Sequence, residues 1–132
     1  MNRLIWKRIY EKVEDDDGFR VFIDRLWARG IKKENASISY WAKEITPTKE
    51  LREDYHKGKI SFETFSEKYS DELKKNPYFN KFLQKIKEKL KKENVTFVFA
   101  SKTPELSHIP ILRKYIEEKL EEEGYKMECV KK

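Results

Sequence analysis

A short stretch of the chain places charged side chains directly after a buried strand. Val21, Phe22 and Ile23 form an uninterrupted apolar run, which is typical of a strand buried on both faces. The next residues carry a carboxylate, two guanidinium groups and an indole: Asp24, Arg25, Trp27 and Arg29. Guanidinium forks bind phosphate or carboxylate through paired hydrogen bonds, and a carboxyl group can move a proton. This segment is therefore a candidate anion-binding and acid–base site.

A second polar segment follows the strand predicted at residues 95–100. It carries hydroxyl, ammonium and imidazole groups: Ser101, Lys102, Thr103, Ser107 and His108. Ligands of parallel sheets collect beyond the carboxyl ends of the strands, so two neighbouring parallel strands would bring both segments to one edge. The backbone N–H groups that begin the final helix would face the same space. We predict Asp24 and His108 as catalytic residues, and as ligand-binding residues Arg20, Arg25, Trp27, Arg29 and Arg52.

Each of these residues also has a structural interpretation. Asp24 would neutralise a neighbouring arginine about as readily as it would serve catalysis. Trp27 and Trp41 are favoured as packing anchors over ligand platforms, and a histidine at a helix start is more often a surface or capping residue. His56, beside Gly58, is predicted to be exposed and idle.

No pattern in the sequence predicts a metal ion or a cofactor. The chain has two histidines and one cysteine, Cys129, which support neither a zinc site nor a Cys–His pair. Cys129 is predicted to be a core residue. The acidic run 14–17 before Gly18 is interpreted as a solvated turn, since no glutamate follows at calcium-loop spacing. Glycine-rich phosphate loops and nucleophile elbows are absent from the sequence.

Composition predicts one domain covering residues 1–132. The net charge of +6 and pI of 9.2 favour anionic partners, although lysine and glutamate are interspersed, as on solvated helix faces. A lone cysteine favours a reducing, cytoplasmic location. We find no apolar run of membrane-spanning length and no signal-peptide pattern. The sequence does not predict the oligomeric state.

Hydrophobic periodicity predicts strands alternating with amphipathic helices. Strands are expected at 4–10, 20–24, 95–100 and 125–130. A brief helix is expected at 40–44, and longer helices after the cap candidates Thr48 and Ser61, at 79–90 and at 112–120. The predicted fold is a small three-layer α/β domain, with a mixed, mostly parallel sheet of about four strands and helices on both faces. The first two strands form either a hairpin or an unusually tight crossover.

Residues 17–30 resemble the hallmark of the YeaO-like family of uncharacterised proteins (domain of unknown function 488). That hallmark is an Asp-Gly-x-Arg segment that runs into Val-Asp-Arg-Leu-Trp-Pro-Arg-Gly. The likeness continues through residues 41–44, 47–52, 65–73 and 95–100. Ala28 lies where the family usually has proline, Thr46 where it usually has alanine and Thr48 where it usually has serine. Ser107-His108 lies where the family tends to have Asn-His. The resemblance implies the fold and marks these positions, but it implies no activity.

Three functions compete at this point. The favoured one is an enzyme or binder of a small phosphorylated or carboxylated ligand, in which the arginines hold the anion. The second is a nucleic-acid-binding or repair-associated module, which would use the lysine-rich helix at 81–92. The third is a protein-interaction domain with an exposed apolar patch.

Overall fold

The computed structural model describes residues 2–125, which form four strands and five α-helices. The strands are β1 (Leu4–Arg8), β2 (Phe19–Phe22), β3 (Tyr40–Trp41) and β4 (Val95–Phe99). The helices are α1 (Lys33–Ala36), α2 (Lys49–His56), α3 (Phe62–Lys75), α4 (Phe79–Leu90) and α5 (Ile109–Glu122). Short 3₁₀ turns lie at Asp15–Asp17, Lys43–Ile45 and Pro104–Leu106. The predicted small α/β fold is confirmed.

The described strands form one parallel sheet in the order β1-β4-β2-β3. Strand β4 lies between β1 and β2, so the first two strands do not touch and the hairpin alternative is wrong. They are joined by a short crossover that contains the 3₁₀ turn Asp15–Asp17. This order places the carboxyl ends of β2 and β4 side by side, since Phe22 pairs with Val98.

The prediction of a helix at residues 40–44 is wrong for its first two residues. Tyr40 and Trp41 form β3, which pairs with Val21 and Phe22, and a 3₁₀ turn follows. The two rings pack on different partners: Tyr40 lies against Phe82 and Trp41 against Phe22. Two residues are too few to show strand alternation. The fourth strand that we predicted at 125–130 lies outside the described residues except for Tyr125, which is not in a strand.

Two hydrophobic clusters cover the two faces of the sheet. The larger one joins alternate residues of β1, β2 and β4 to the apolar sides of α2, α3, α4 and α5. The smaller one lies on the opposite face, where Phe22 and Val98 pack under α1 and its flanking loops. Helices therefore lie on both faces, but the second face is covered mainly by loop.

Local sequence signals set the boundaries of several elements. Thr48 and Ser61 cap α2 and α3 as predicted, each accepting a hydrogen bond from a backbone N–H of the first turn. Gly18 has a φ of +65°, and a Cβ atom there would lie 2.1 Å from the carbonyl oxygen of Asn94. Only glycine allows β2 to begin so close to that backbone. None of the helices within residues 2–125 is both long and apolar enough to span a membrane.

Candidate functional site

The loops that follow β2 and β4 open onto the same cleft at the carboxyl edge of the sheet. Its volume is about 420 Å³. The backbone N–H of Ala100 donates to Asp24 Oδ2 over 2.8 Å, and the imidazole Nε2 of His108 lies 2.6 Å from the carbonyl oxygen of Ile23. The predicted meeting of the two loops is confirmed.

Six of the seven predicted site residues line this cleft. They are Asp24, Arg25, Trp27, Arg29, Arg52 and His108. The seventh, Arg20, lies elsewhere: it is buried on the second face of the sheet, where its guanidinium contacts Asp17 at 2.6 Å and the carbonyl oxygen of Ala36 at 3.1 Å. Side chains point alternately to the two faces along a strand, so Arg20 cannot follow Val21 and Ile23 to the other side.

The interpretation of the acidic run 14–17 as a solvated turn is wrong for Asp17. The Asp17 carboxylate is buried and accepts hydrogen bonds from Lys7 Nζ at 3.0 Å as well as from Arg20. Burial alone would raise the pKa of Asp17, but the bonds from Lys7, the Glu14 backbone and Arg20 lower it overall. Asp15 and Asp16 are exposed, as expected.

Asp24 and His108 form a close pair on the floor of the cleft. The facing carbonyl oxygen of Ile23 can only accept, so His108 Nε2 carries a proton. The same nitrogen lies 3.3 Å from Asp24 Oδ1. This oxygen is buried and has no hydrogen-bond partner among the described residues. The pair therefore ties the end of β2 to the start of α5 and leaves one carboxyl oxygen unsatisfied.

Burial disfavours charge on both members of this pair. It raises the pKa of Asp24, although His108, the Ala100 N–H and Arg52 all oppose the shift. It also lowers the pKa of His108, with a smaller contribution from the positive charge of Arg52 and against the pull of Asp24. With its pKa below the ordinary value, His108 is neutral at pH 7. The neutral ring donates from Nε2 and keeps its lone pair on Nδ1.

The three arginines around the cleft have few partners. Arg25 Nε donates to the carbonyl oxygen of Pro47 over 2.8 Å. This bond anchors the side chain and does not use the two terminal nitrogens of the guanidinium group. The guanidinium groups of Arg29 and Arg52 make no hydrogen bond or ion pair within residues 2–125. Asp24 is the one acidic side chain among the described residues that line the cleft. The cleft therefore carries an excess of positive charge.

Trp27 and Trp41 serve chiefly as packing residues, as favoured from the sequence. Their indole N–H groups donate to the carbonyl oxygens of Ile31 and Asp24, each over 2.6 Å, and the rings lie 5.3 Å apart at an edge-on angle. Trp27 also borders the cleft. Together these contacts brace the loop that carries Arg25 and Arg29.

Several lining residues were missed by sequence reasoning. They include Tyr10, Leu26, Tyr55, His56 and Leu106. His56 had been considered idle; its imidazole is exposed, and its pKa is lowered by partial burial and by nearby Arg52. Arg52 and Tyr55 are three residues apart on α2, which places them on one helix face. That spacing was the available signal for Tyr55, whereas Leu26 and Leu106 lie in loops without periodicity.

Comparison with known proteins identifies relatives along most of the chain. A family model described as "Inactive DUF488-N3 subclade" matches residues 3–130. The uncharacterized protein YeaO of Escherichia coli (strain K12) is 37% identical over 110 residues, which cover 83% of this chain and 93% of that protein. The uncharacterized proteins Mb3100c of Mycobacterium bovis and Rv3073c of Mycobacterium tuberculosis are each 35% identical over 105 residues, covering 80% of this chain and 86% of theirs. No solved structure matches the chain. The resemblance to YeaO-like proteins is confirmed.

Proposed function

The chain belongs to the DUF488 family, in its N3 subclade described as inactive, and from that premise we propose that it binds a small organic anion in the cleft. The ligand carries a phosphate or carboxylate group. The observation that carries this proposal is that the guanidinium groups of Arg29 and Arg52, which line the same cleft as Arg25, form no hydrogen bond or ion pair within residues 2–125.

Physical chemistry supports an anionic ligand at this place. An arginine fork presents parallel donors that match two oxygens of a phosphate or carboxylate. Three such groups around one acid leave positive charge unbalanced, and an anion would neutralise it. The cleft volume of about 420 Å³ falls in the usual range for small-molecule sites, about 300–1,000 Å³.

Binding is favoured over catalysis by the way the Asp24–His108 pair is engaged. The Nε2 proton of His108 is directed to the Ile23 carbonyl oxygen, and Asp24 Oδ2 accepts from Ala100. These bonds hold the floor of the cleft in place. The description of the subclade as inactive points the same way. An enzymatic version would use Asp24 Oδ1 as the proton carrier, since that oxygen has no hydrogen-bond partner among the described residues.

The lysine-rich helix gives less support to nucleic-acid binding. Lys85 and Lys89 lie over the rings of Tyr40 and Phe19, each at 4.9 Å, and Lys87 pairs with Glu123 at 2.5 Å. Such lysines are partly committed to intramolecular contacts. We therefore keep nucleic-acid binding as the alternative, to be detected by salt-dependent association with DNA or RNA. We also propose a cytoplasmic location, which the single cysteine favours.

Calorimetric titration with inorganic phosphate and with pyrophosphate tests the proposal. Arg52→Gln and Arg29→Gln should each weaken binding about 10- to 100-fold, because a charge-assisted hydrogen bond contributes about 1.5–3 kcal/mol. Arg3→Gln is the matched control: Arg3 is exposed, does not line the cleft, and its replacement removes the same charge. Equal weakening by all three variants, or no binding by the wild-type protein, would overturn the proposal.

A further inference from the structure

The exposed apolar side chains of this protein are concentrated at the cleft. Among the described residues, five large hydrophobic side chains are exposed, and three of them line the cleft: Tyr10 (46% exposed), Leu26 (57%) and Leu106 (54%). The other two, Val13 (39%) and Tyr78 (58%), lie away from it. We call Tyr10, Leu26 and Leu106 the apolar rim.

The apolar rim is assembled from separate parts of the chain. Tyr10 follows β1, Leu26 follows β2, and Leu106 follows β4. The three loops converge at one edge of the sheet, and each loop exposes one large hydrophobic side chain to solvent at that edge. Scattered exposed leucines are ordinary on protein surfaces, but convergence beside a binding site is a feature of ligand recognition.

Hydrogen bonds fix the loops that carry the rim. Tyr10 Oη donates to the carbonyl oxygen of Arg29 over 2.8 Å, which joins the first loop to the second. Tyr55 Oη donates to the carbonyl oxygen of Leu106 over 2.8 Å, which joins α2 to the third loop. The backbone that bears the rim is thus held by side chains that themselves line the cleft, and little ordering is required when a ligand binds.

We infer that the ligand is an amphipathic anion, with a phosphate or carboxylate group among the arginines and a ring-sized apolar group against the rim. The inference rests on the proposed function and adds the second half of the ligand. Tyr55 also lines the cleft, and its ring stacks on the buried ring of Phe65 with centroids 4.5 Å apart, which adds aromatic surface beside the rim. A purely inorganic anion would leave this surface exposed to water.

Three probes separate the two halves of the ligand: inorganic phosphate, phenyl phosphate and phenol. Phenyl phosphate should bind about tenfold more tightly than phosphate, because burial of apolar surface contributes about 25 cal/mol per Å², and phenol should bind far more weakly than phenyl phosphate. The double variant Leu26→Ser/Leu106→Ser should lose this tenfold advantage, so that it binds phenyl phosphate and phosphate with equal affinity. The matched control Val13→Ser/Tyr78→Ser removes two exposed hydrophobic groups elsewhere and should behave as the wild-type protein does.

Different results overturn different claims. Equal affinity of the wild-type protein for phosphate and phenyl phosphate would overturn the amphipathic ligand and leave anion binding intact. Failure of both anions to bind would overturn the proposed function itself. Sedimentation of each protein controls for another occupant: a wild-type dimer that the rim variant converts to monomer would assign the rim to a second copy of the chain and overturn the inference. A monomeric wild-type protein with the tenfold preference, lost only in the rim variant, is the expected result.

Discussion

Two regions of this protein contain the same types of charged residue but use them for different purposes. In the first, Asp17 is buried between Lys7 and Arg20 on the second face of the sheet, and its oxygens contact both cations. In the second, Arg29 and Arg52 face a cleft, and their guanidinium groups form no hydrogen bond or ion pair within the described chain. Charges that are paired inside the protein hold the fold together, whereas charges left unpaired around a cavity are available to a ligand.

A single stretch of sequence, residues 17–30, contributes to both regions. Its first part, with Asp17, Gly18 and Arg20, forms the buried ion cluster and the close approach of β2 to Asn94. Its second part, with Asp24 and Arg29, lines the cleft. The boundary falls at the carboxyl end of β2. The family hallmark therefore combines a folding element with part of the candidate site, and its residues need not share one role.

The largest expected effect is the loss of the buried carboxylate. Asp17→Asn should lower the free energy of unfolding by about 3–5 kcal/mol, because removing one member of a buried ion cluster leaves the others uncompensated. Lys7 and Arg20 would both lose their anionic partner. Urea denaturation measures the change. Asp16→Asn, one residue away and exposed, is the control and should alter stability by less than about 0.5 kcal/mol; a similar cost for both variants would contradict the distinction.

The carboxyl groups of buried Asp17 and half-buried Asp24 should also respond oppositely to pH. The pKa of Asp17 is lowered from 3.8, so its stabilising contribution is complete above 3.8 and disappears as the pH falls through the folded-state pKa. The pKa of Asp24 is raised from 3.8, so its ionisation costs stability at neutral pH, and that cost is relieved as the pH falls through the folded-state pKa.

Comparison of Asp24→Asn with Asp17→Asn makes this contrast measurable. At pH 7, Asp24→Asn should cost less than about 1 kcal/mol or should stabilise the protein, because it removes a carboxylate that burial disfavours. As the pH is lowered from 7 toward 3.8, wild type should gain stability relative to Asp24→Asn. Below 3.8, wild type should lose its advantage over Asp17→Asn. Urea denaturation across this range provides the curves; parallel curves for the two variants would refute the assignment.

The smallest effect on stability is expected at the cleft arginines. Arg29→Gln should change the free energy of unfolding by less than about 0.5 kcal/mol, because its exposed guanidinium has no partner in residues 2–125. The same variant should still lose affinity for anions. Thermal unfolding without ligand, beside the binding titration, separates the two quantities. A loss of stability as large as that of Asp17→Asn would place Arg29 among the structural charges.

The sequence is sufficient to predict those residues of the candidate site that directly follow a strand or begin a helix. Asp24 and His108 were found because each follows a recognisable strand or begins a recognisable helix. Asp17 was missed because three consecutive aspartates look solvated, and only the packing of β1 and β2 around β4 shows that the third is buried. Leu26 and Leu106 were missed because a single loop leucine has no periodicity, and its significance appears only when separate loops meet.

We propose that the cleft arginines, which form no ion pair within residues 2–125, mark a binding site at the carboxyl edge of the sheet. The most direct measurement is a backbone amide NMR titration with phenyl phosphate. We expect saturable shifts concentrated at residues 24–29, 52–56 and 100–108, with little change along α4 or around Asp17. Shifts centred on the lysines of α4, or no saturable shifts at all, would contradict it.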